Sequence, residues 1–279
     1  MAEISQTEGR RAFGSDPEAY HKARPGYPER VFDLLRDRCG IGLGARVFEV
    51  GPGTGIATQR LLHLGAGPLV LIEPDERLAS FLTENLARNS PGIRVKVASF
   101  EQVELESSWF DAGTSASAFH WLDEMNSLHK IARTLRPGGW WAMWWNLFVG
   151  APRDDEFYKA TRPVFRGLNQ SPSSGKEGRP SFALDTEMRI ANLRAVGAFE
   201  NIEVETIGWA ASFDTARLVK LYRTFSPISR LDSGDREELL DNLAQIADKQ
   251  FGGKVEIRIT TPIYTAQRHR SARTSEISV

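Results

Sequence analysis

The stretch from Ala45 to Gly55, ARVFEVGPGTG, constrains the fold of this chain more than any other. Its first half is apolar with little alternation, which is typical of a strand buried on both faces in a parallel sheet. Gly51, Gly53 and Gly55 then allow a sharp turn and a close approach of backbone N–H groups to a ligand. The helix predicted to follow points the positive end of its dipole at the same place. The stretch therefore predicts a ligand-binding strand, turn and helix, although glycines at such a turn can also be purely steric.

A second apolar strand, PLVLI, ends in Glu73 about twenty residues after the glycines. In a doubly wound fold this is the position of the acid that holds a ribose, because two carboxylate oxygens accept hydrogen bonds from two neighbouring hydroxyls. The Gly-x-Gly-x-Gly spacing is shorter than the Gly-x-Gly-x-x-Gly turn that holds a pyrophosphate. Glu49, two residues before the first glycine, would repel a phosphate and attract a cation. The pattern favours a positively charged nucleoside.

The composition favours small-molecule partners. The 279 residues carry a formal net charge of -1, so no strong field attracts a polyanion, and we predict no nucleic-acid and no membrane partner. The single cysteine, Cys39, leaves no internal disulfide and is most simply a small buried hydrophobe. The first residues lack the apolar core of a signal peptide, and no residues have metal-ligand spacing. We predict a cytoplasmic monomer or homodimer without a metal site.

Four motifs occur in the same order as in a known family. They are VFEVGPGTG at residues 47–55, LIEPD at residues 71–75, Ala116 with FHW at residues 119–121, and LRPGG at residues 135–139. Together they resemble the class I S-adenosylmethionine-dependent methyltransferases, most closely the small-molecule branch around trans-aconitate methyltransferase. The resemblance covers about residues 10–145 well and the rest only in outline.

The resemblance implies an α/β fold, a Rossmann-like doubly wound sheet of seven mostly parallel strands with the last strand antiparallel. It also implies an N-terminal lid and a C-terminal helical cap. We predict one domain over residues 1–279, with a helical lid at 1–40, a cofactor-binding half at 41–146, and a cap insertion plus the last strands at 147–279. A glycine- and serine-rich loop is predicted at 169–180.

The resemblance also implies that S-adenosyl-L-methionine is the cofactor. Ser99 stands where the family often has an acid that accepts from the adenine amino group, so this contact departs from the common pattern. The predicted cofactor-binding residues are Glu49, Gly51, Pro52, Gly53, Thr54, Gly55, Glu73, Pro74, Ser99, Phe100, Ala116, Phe119 and Tyr20.

The candidates for catalysis are His120, Arg24 and Arg223. His120 is expected at the rim of the site, either as a base or as an aromatic-like wall residue. Arg24 on the lid and Arg223 on the cap are each a candidate to grip a carboxylate, or an ordinary surface charge. The candidate substrate residues are Tyr27, Trp121, Trp145, Asn146 and Tyr222, although most tryptophans of the WWAMWW run are expected in the core.

These patterns predict an enzyme that transfers a methyl group from S-adenosylmethionine to a small molecule, most simply to an oxygen of a carboxylate or a hydroxyl. A nicotinamide-dependent oxidoreductase on the same fold is an alternative, disfavoured by Glu49 and the short glycine spacing. A non-catalytic domain that binds S-adenosylmethionine is a second alternative.

Overall fold

The computed structural model describes residues 16–88, 90–148, 156–168 and 180–270. Seven strands form one sheet in the order β3-β2-β1-β4-β5-β7-β6. The strands are β1 (Val47–Val50), β2 (Leu69–Ile72), β3 (Ile93–Lys96), β4 (Phe110–Ala116), β5 (Leu135–Trp144), β6 (Phe199–Asp214) and β7 (Lys254–Arg268). The first five are parallel, and β7 is antiparallel to both of its neighbours. The predicted doubly wound, mostly parallel sheet is therefore confirmed.

Helices cover both faces of the sheet. Before β5 they are α1 (Pro17–Ala23), α2 (Glu29–Asp37), α3 (Ile56–His63), α4 (Glu76–Leu82) with a π-helical turn at Thr83–Ala87, and α5 (Glu124–Thr134). After β5 they are α6 (Glu156–Thr161), α7 (Thr186–Ala195), α8 (Thr215–Arg223), α9 (Ser226–Ser229) and α10 (Ser233–Phe251). The predicted loop at 169–180 lies outside the described residues except for Pro180. None of the helices in the described ranges combines the length and the apolar character that crossing a membrane requires.

Aspartates cap the starts of several helices, among them α4, α5 and α8. Asp75, Asp123 and Asp214 each accept a hydrogen bond from a backbone N–H in the first turn of α4, α5 and α8. Such a cap satisfies a donor that the helix itself leaves unpaired. Local side-chain chemistry is therefore sufficient to set these three helix starts.

The strands β6 and β7 form a hairpin that extends well beyond the parallel sheet. β6 runs from Phe199 to Asp214 and pairs with β7 along most of this length, and partly buried residues alternate with exposed ones over much of it. The helical cap, α8 to α10, lies between these two strands in sequence and packs on their far end through a separate apolar cluster. The cap is thus held by the hairpin.

The tryptophans of β5 divide between the two faces of the sheet. Trp141 and Trp145 belong to the apolar cluster on one face, whereas Trp144, with Trp140 beside it, belongs to the cluster on the other. This is the alternation expected of a strand. Trp141, Trp144 and Trp145 are buried, so their main role is to fill the core.

Candidate active site

A cavity lies at the carboxyl ends of β1, β2 and β4, where an open α/β sheet binds its ligands. Its empty space is about 910 Å³, including the part open to solvent at the mouth. Its polar and loop residues are Tyr20, Tyr27, Gly51, Pro52, Gly53, Thr54, Glu73, Pro74, Ser117 and Trp121, and its apolar lining includes Val50, Ile56, Ala57, Ile72, Leu78, Phe100, Ala116, Ala118 and Leu122. Most of the predicted cofactor-binding residues therefore surround one space.

The glycine turn brings bare backbone to the floor of this cavity. Gly51 has a φ of +65°, and a Cβ there would come within 2.5 Å of the Ala118 Cβ. Gly53 has a φ of +59°, and a Cβ there would meet no protein atom within 4 Å. Thr54, the next residue, has a buried Oγ1 without a hydrogen-bond partner. The turn leaves open space and an unsatisfied polar atom where a ligand would lie.

Gly55 has a structural role in the same turn. It caps the start of α3 with a φ of +84°, and a Cβ there would lie 2.6 Å from the Leu86 Cδ1. Gly55 does not line the cavity. It was predicted to bind the cofactor, but its position explains the glycine through backbone conformation and the close packing of the π-helical turn.

Glu73 joins the glycine turn to the end of β2. Its Oε2 accepts from the Gly53 N–H at 3.0 Å and its Oε1 accepts from the Asp75 N–H at 3.1 Å. The carboxyl group is buried at the wall of the cavity, and this burial raises its pKa to about 7. Each oxygen keeps a second lone pair, so the group can accept from two hydroxyls of a ligand.

A second buried acid, Glu49, lies in β1 below the cavity. Its Oε2 accepts from the Thr58 hydroxyl at 2.6 Å, its Oε1 has no partner, and it does not line the cavity. Burial raises its pKa to about 7, and the charge of Glu73 acts in the same direction. A ligand cation would stabilise the ionised form of both acids. The residues therefore fit a nucleoside that carries a positive charge and do not fit a pyrophosphate.

The turn after β3 presents Phe100 to the cavity. Lys130, on α5, holds this turn: its Nζ donates to the backbone oxygens of Phe100, Glu101 and Val103 and lies 5.1 Å from the centre of the Phe100 ring. Ser99 does not line the cavity, and its backbone oxygen accepts from two N–H groups of the same turn. Phe100 is therefore the cavity-facing residue of the predicted Ser99–Phe100 pair, and Lys130 was missed because no local pattern marks it.

The lid helix α1 covers the cavity through Tyr20. Arg24, at the end of α1, does not line the cavity, because its Nε and Nη2 donate to the hydroxyl and backbone oxygens of Thr224 at 2.8 and 3.1 Å. Its guanidinium also lies over the rings of Tyr20 and Phe225. Thr224 caps the C-terminus of α8, where a cation is favourable. Arg24 thus ties the lid to the cap and is not positioned to grip a carboxylate.

The other arginine candidate also lies away from the cavity. Arg223 makes a two-pronged ion pair with Glu237 on the partly exposed surface between α8 and α10. Neighbouring Tyr222 packs among Phe157, Phe165 and Phe225 in the cap cluster. Neither side chain lines the cavity, so the structure does not support the predicted substrate contacts of Arg223 and Tyr222.

His120 lies in a short 3-10 helix, Phe119–Trp121, behind the cavity wall. Its Nδ1 accepts from the Trp145 indole N–H at 3.0 Å, and burial lowers its pKa to about 3. Neither His120 nor Trp145 lines the cavity, and Phe119 is buried against Trp141 in the core. The structure therefore favours the alternative in which His120 supports the wall, and it does not support a base there or a ligand contact of Trp145 or Phe119.

The far end of the cavity, on the side of β4, is formed by Ser117, Ala118, Trp121 and Leu122, which follow that strand, and by Tyr27 from the lid segment. Tyr27 donates its O–H to the Ser117 Oγ at 3.1 Å, and burial raises the Tyr27 pKa. Among the residues that the structure describes, no lysine, arginine or histidine lines the cavity. Ser117 was not predicted as a site residue, although its place after β4 in a doubly wound sheet is a signal that could have found it.

Asn146 supports this end without lining it. Its amide Nδ2 donates to the Gly26 backbone oxygen at 2.9 Å, and its Oδ1 accepts from Thr261 at 2.8 Å. Its backbone N–H donates to the Ser117 Oγ at 3.4 Å. The side chain predicted to contact substrate instead joins the lid segment to the β6–β7 hairpin.

The remaining reactive groups offer no second centre. Cys39 is buried, and burial raises its thiol pKa to about 12. Within the described ranges, no cluster of histidine, cysteine, aspartate and glutamate could hold a metal ion.

Comparison with known proteins agrees with this geometry. A family model described as a methyltransferase domain matches residues 48–143. An uncharacterized methyltransferase of Schizosaccharomyces pombe is 25% identical over 262 residues, which cover 92% of this chain and 97% of that protein. An uncharacterized methyltransferase of Mycobacterium tuberculosis is 33% identical over 135 residues, so the match spans 48% of this chain and only 52% of that protein.

A solved structure shares the fold. It is a phosphoethanolamine N-methyltransferase of Haemonchus contortus in complex with phosphomonomethylethanolamine and S-adenosylhomocysteine, and it matches with a TM-score of 0.58 and 15% identity over 95% of this chain and 60% of that one. The methyltransferase-domain match over residues 48–143 and the methyltransferase relatives indicate an S-adenosylmethionine-dependent methyltransferase, and the solved structure shows the same Rossmann-like fold.

Proposed function

We propose that this methyltransferase methylates a hydroxyl oxygen of a small, partly apolar molecule. The observation that carries the proposal is the make-up of the far end of the cavity, where hydroxyl groups and aromatic rings meet without a cationic side chain among the described residues. A carboxylate acceptor needs a cation to seat it. Arg24 and Arg223, the candidates for that role, are engaged with Thr224 and Glu237.

The position of the lid favours a small acceptor molecule. Tyr20 and Tyr27 line the cavity from the lid side, and Arg24 holds the lid on the cap. A cavity walled in this way can hold two reactants in line, which can supply on the order of 7–11 kcal/mol of the barrier. A positioned base contributes less, roughly 3–5 kcal/mol. Glu73, the acid on the described cavity wall, is assigned to the ribose, and methyl transfer without a further positioned base is compatible with these magnitudes.

When bound, the cofactor would supply a methyl group on a positively charged sulfur: the carbon–oxygen bond would form as the carbon–sulfur bond breaks, and the hydroxyl proton would pass to water. In the proposed assignment Glu73 holds the ribose hydroxyls, the glycine turn leaves space for the amino-acid part, and Phe100 packs on the base. Tyr27, Ser117 and Trp121 surround the acceptor. The trans-aconitate resemblance does not fit this assignment, since the described cavity wall offers a carboxylate no cationic partner.

The fold itself does not choose the acceptor atom, because the structural relative from Haemonchus contortus is named as an N-methyltransferase. A matched panel tests the choice: phenol, aniline, benzoate and thiophenol share one ring and differ in the nucleophile. With labelled S-adenosylmethionine, we expect the largest kcat/KM for phenol. Preference for the amine, carboxylate or thiol would overturn the proposal. Cofactor binding without any product would instead support a non-catalytic domain.

A further inference from the structure

Ser117 has an unusual backbone at the end of β4. Its φ is +56°, in the left-handed region that a residue with a side chain seldom adopts. Its N–H donates to the Trp144 backbone oxygen at 2.7 Å, which continues the pairing of β4 with β5 up to this residue. Strain of this kind persists only where the surrounding structure enforces it, and it is common at functional sites.

The hydrogen bonds of the Ser117 hydroxyl leave its hydrogen unused. A serine hydroxyl has two lone pairs and one hydrogen. The Oγ accepts from the Tyr27 O–H at 3.1 Å and from the Asn146 N–H at 3.4 Å, which uses both lone pairs. The described residues show no hydrogen bond donated by this hydroxyl, and the side chain lines the cavity. The hydroxyl is therefore set as a hydrogen-bond donor toward whatever occupies this end.

The two donors are themselves held in place. The Tyr27 ring packs edge-on against Trp144, with ring centres 5.8 Å apart. Asn146 is fixed on both sides, by Gly26 in the lid segment and by Thr261, whose Oγ1 also accepts from the Trp209 indole at 2.9 Å. A chain of hydrogen bonds thus runs from the β6–β7 hairpin to the cavity and fixes the direction in which Ser117 donates.

The order of the strands places Ser117 at the acceptor end. Glu73 and Phe100 follow β2 and β3, the glycine turn follows β1, and Ser117 follows β4 on the opposite side of β1. A nucleoside held by Glu73 and Phe100 therefore leaves the space near Ser117 to the second reactant.

We infer that the Ser117 hydroxyl donates a hydrogen bond to the reacting oxygen of the acceptor, and that the acceptor is a weakly acidic hydroxyl compound, a phenol or an enol. The inference rests on the proposed function and narrows it. With Glu73 assigned to the ribose and no lysine, arginine or histidine along the described wall, an alkyl alcohol would stay protonated and a carboxylate would lack a cationic partner. A phenol ionises near the range of tyrosine, and one charge-assisted hydrogen bond favours its anion. The flat rings of Tyr27 and Trp121 suit such an acceptor.

A series of phenols tests the inference at constant pH. With Ser117→Ala we expect kcat/KM to fall by about tenfold to a hundredfold for phenols that are mostly protonated in solution, which is the usual loss for one hydrogen bond to a charged group. For nitrophenols that are already ionised we expect a smaller loss, within about fivefold. Affinity for S-adenosylhomocysteine, measured by calorimetry, should stay within about twofold.

A spectroscopic measurement avoids turnover altogether. 4-Nitrophenol absorbs visible light strongly only as its anion, so the absorbance reports its ionised fraction when it binds to the complex of the protein with S-adenosylhomocysteine. We expect the wild type to bind it with a greater ionised fraction than in solution, and Ser117→Ala to lose that excess.

Two further variants separate the hydroxyl from the backbone. Ser117→Gly removes the same hydroxyl but relaxes the left-handed conformation, so it should match Ser117→Ala in the phenol series. Ser108→Ala is the matched control: Ser108 also has a positive φ, of 55°, and lies before β4, at the opposite end of that strand from the cavity. It should behave as wild type.

The outcomes distinguish the inference from the proposed function. If the wild type methylates phenols and Ser117→Ala does so with the same dependence on the acidity of the phenol, the inference is wrong and the proposed function stands. If the wild type methylates no hydroxyl compound of the series, the proposed function fails first.

Discussion

The cofactor end of the cavity is made from residues close together in sequence, whereas the acceptor end joins segments far apart. The Glu73 carboxyl group accepts hydrogen bonds from Gly53, 20 positions earlier in the sequence, and from Asp75, 2 positions later. At the other end Tyr27 donates to Ser117, which lies 90 positions later in the sequence. The lid beside it is joined to the cap by the bond from Arg24 to Thr224, which lies 200 positions later. The difference teaches that one strand–turn–helix motif is enough to build a cofactor site, while acceptor choice depends on how the lid and the cap meet the sheet.

The strongest test of the comparison is at the cofactor end. Glu73→Gln should weaken binding of S-adenosylhomocysteine by roughly a hundredfold, because the amide loses the charge and one of the two acceptors offered to the ribose. Calorimetry measures the change. The matched control is Glu76→Gln, which removes an exposed acid three residues away. This variant should bind S-adenosylhomocysteine with the affinity of the wild type. Equal affinity of wild type and Glu73→Gln would separate Glu73 from the cofactor.

At the acceptor end, Tyr27→Phe should act on turnover and not on the cofactor. It removes the O–H that donates to Ser117 while keeping the ring against Trp144. We expect kcat/KM for a phenol to fall about tenfold and affinity for S-adenosylhomocysteine to change less than about twofold. Tyr158→Phe, on the exposed side of α6, controls for loss of a tyrosine hydroxyl. A parallel loss of cofactor affinity would show that the two ends are not separate.

The pH dependence sharpens the comparison further. Glu49 and Glu73 have pKa values raised by burial from 4.5 to about 7, so both become ionised as the pH rises through that range. The affinity for positively charged S-adenosylmethionine should therefore rise by up to about tenfold between about pH 6 and about pH 8, and by less for S-adenosylhomocysteine, whose sulfur is neutral. Titrations of both ligands at each pH measure this. Equal slopes for the two ligands would contradict it.

The raised pKa values of Glu49 and Glu73 also make the folding stability depend on pH. Their folded-state pKa values lie above those of the unfolded chain, so the stabilisation is fully present below 4.5 and is lost as the pH rises through about 7. The free energy of unfolding of the ligand-free protein should therefore fall as the pH rises from 4.5 to about 7. The thermal shift caused by S-adenosylmethionine should grow over the same window, since the cation offsets the cost of two buried charges.

The smallest effect is expected at His120. Its Nδ1 accepts from Trp145, and a pKa of about 3 leaves it a weak base at neutral pH. His120→Asn offers an amide oxygen to the same indole N–H, so kcat should stay within about threefold and the pH profile should keep its shape. Loss of a titration step from the profile would restore His120 as a base.

The sequence was sufficient for the features that depend on neighbouring residues. The apolar run before Gly51, the acid at Glu73 and the aspartate helix starts each follow from local chemistry, and all three appear in the structure. The alternation of the β5 tryptophans also follows from strand geometry alone. These features fix the doubly wound sheet and the position of the cavity.

The features that the sequence did not reveal depend on contacts between distant segments. Arg24 and Arg223 are plausible carboxylate ligands in isolation, but Thr224 and Glu237 occupy them in the folded chain. Lys130 and Ser117 lie in unremarkable local sequence and gain their roles from the turn after β3 and from Tyr27. No local pattern encodes these partners, so only the tertiary structure identifies them.

The central claim is that the tips of β1 and β2 hold a positively charged nucleoside through Glu73 and the glycine turn. Titration calorimetry with S-adenosylhomocysteine and, separately, with NADH tests it most directly. We predict one molecule of S-adenosylhomocysteine per chain, lost in Glu73→Gln, and no binding of NADH. Binding of NADH in its place, or binding of S-adenosylhomocysteine that Glu73→Gln leaves unchanged, would contradict the account.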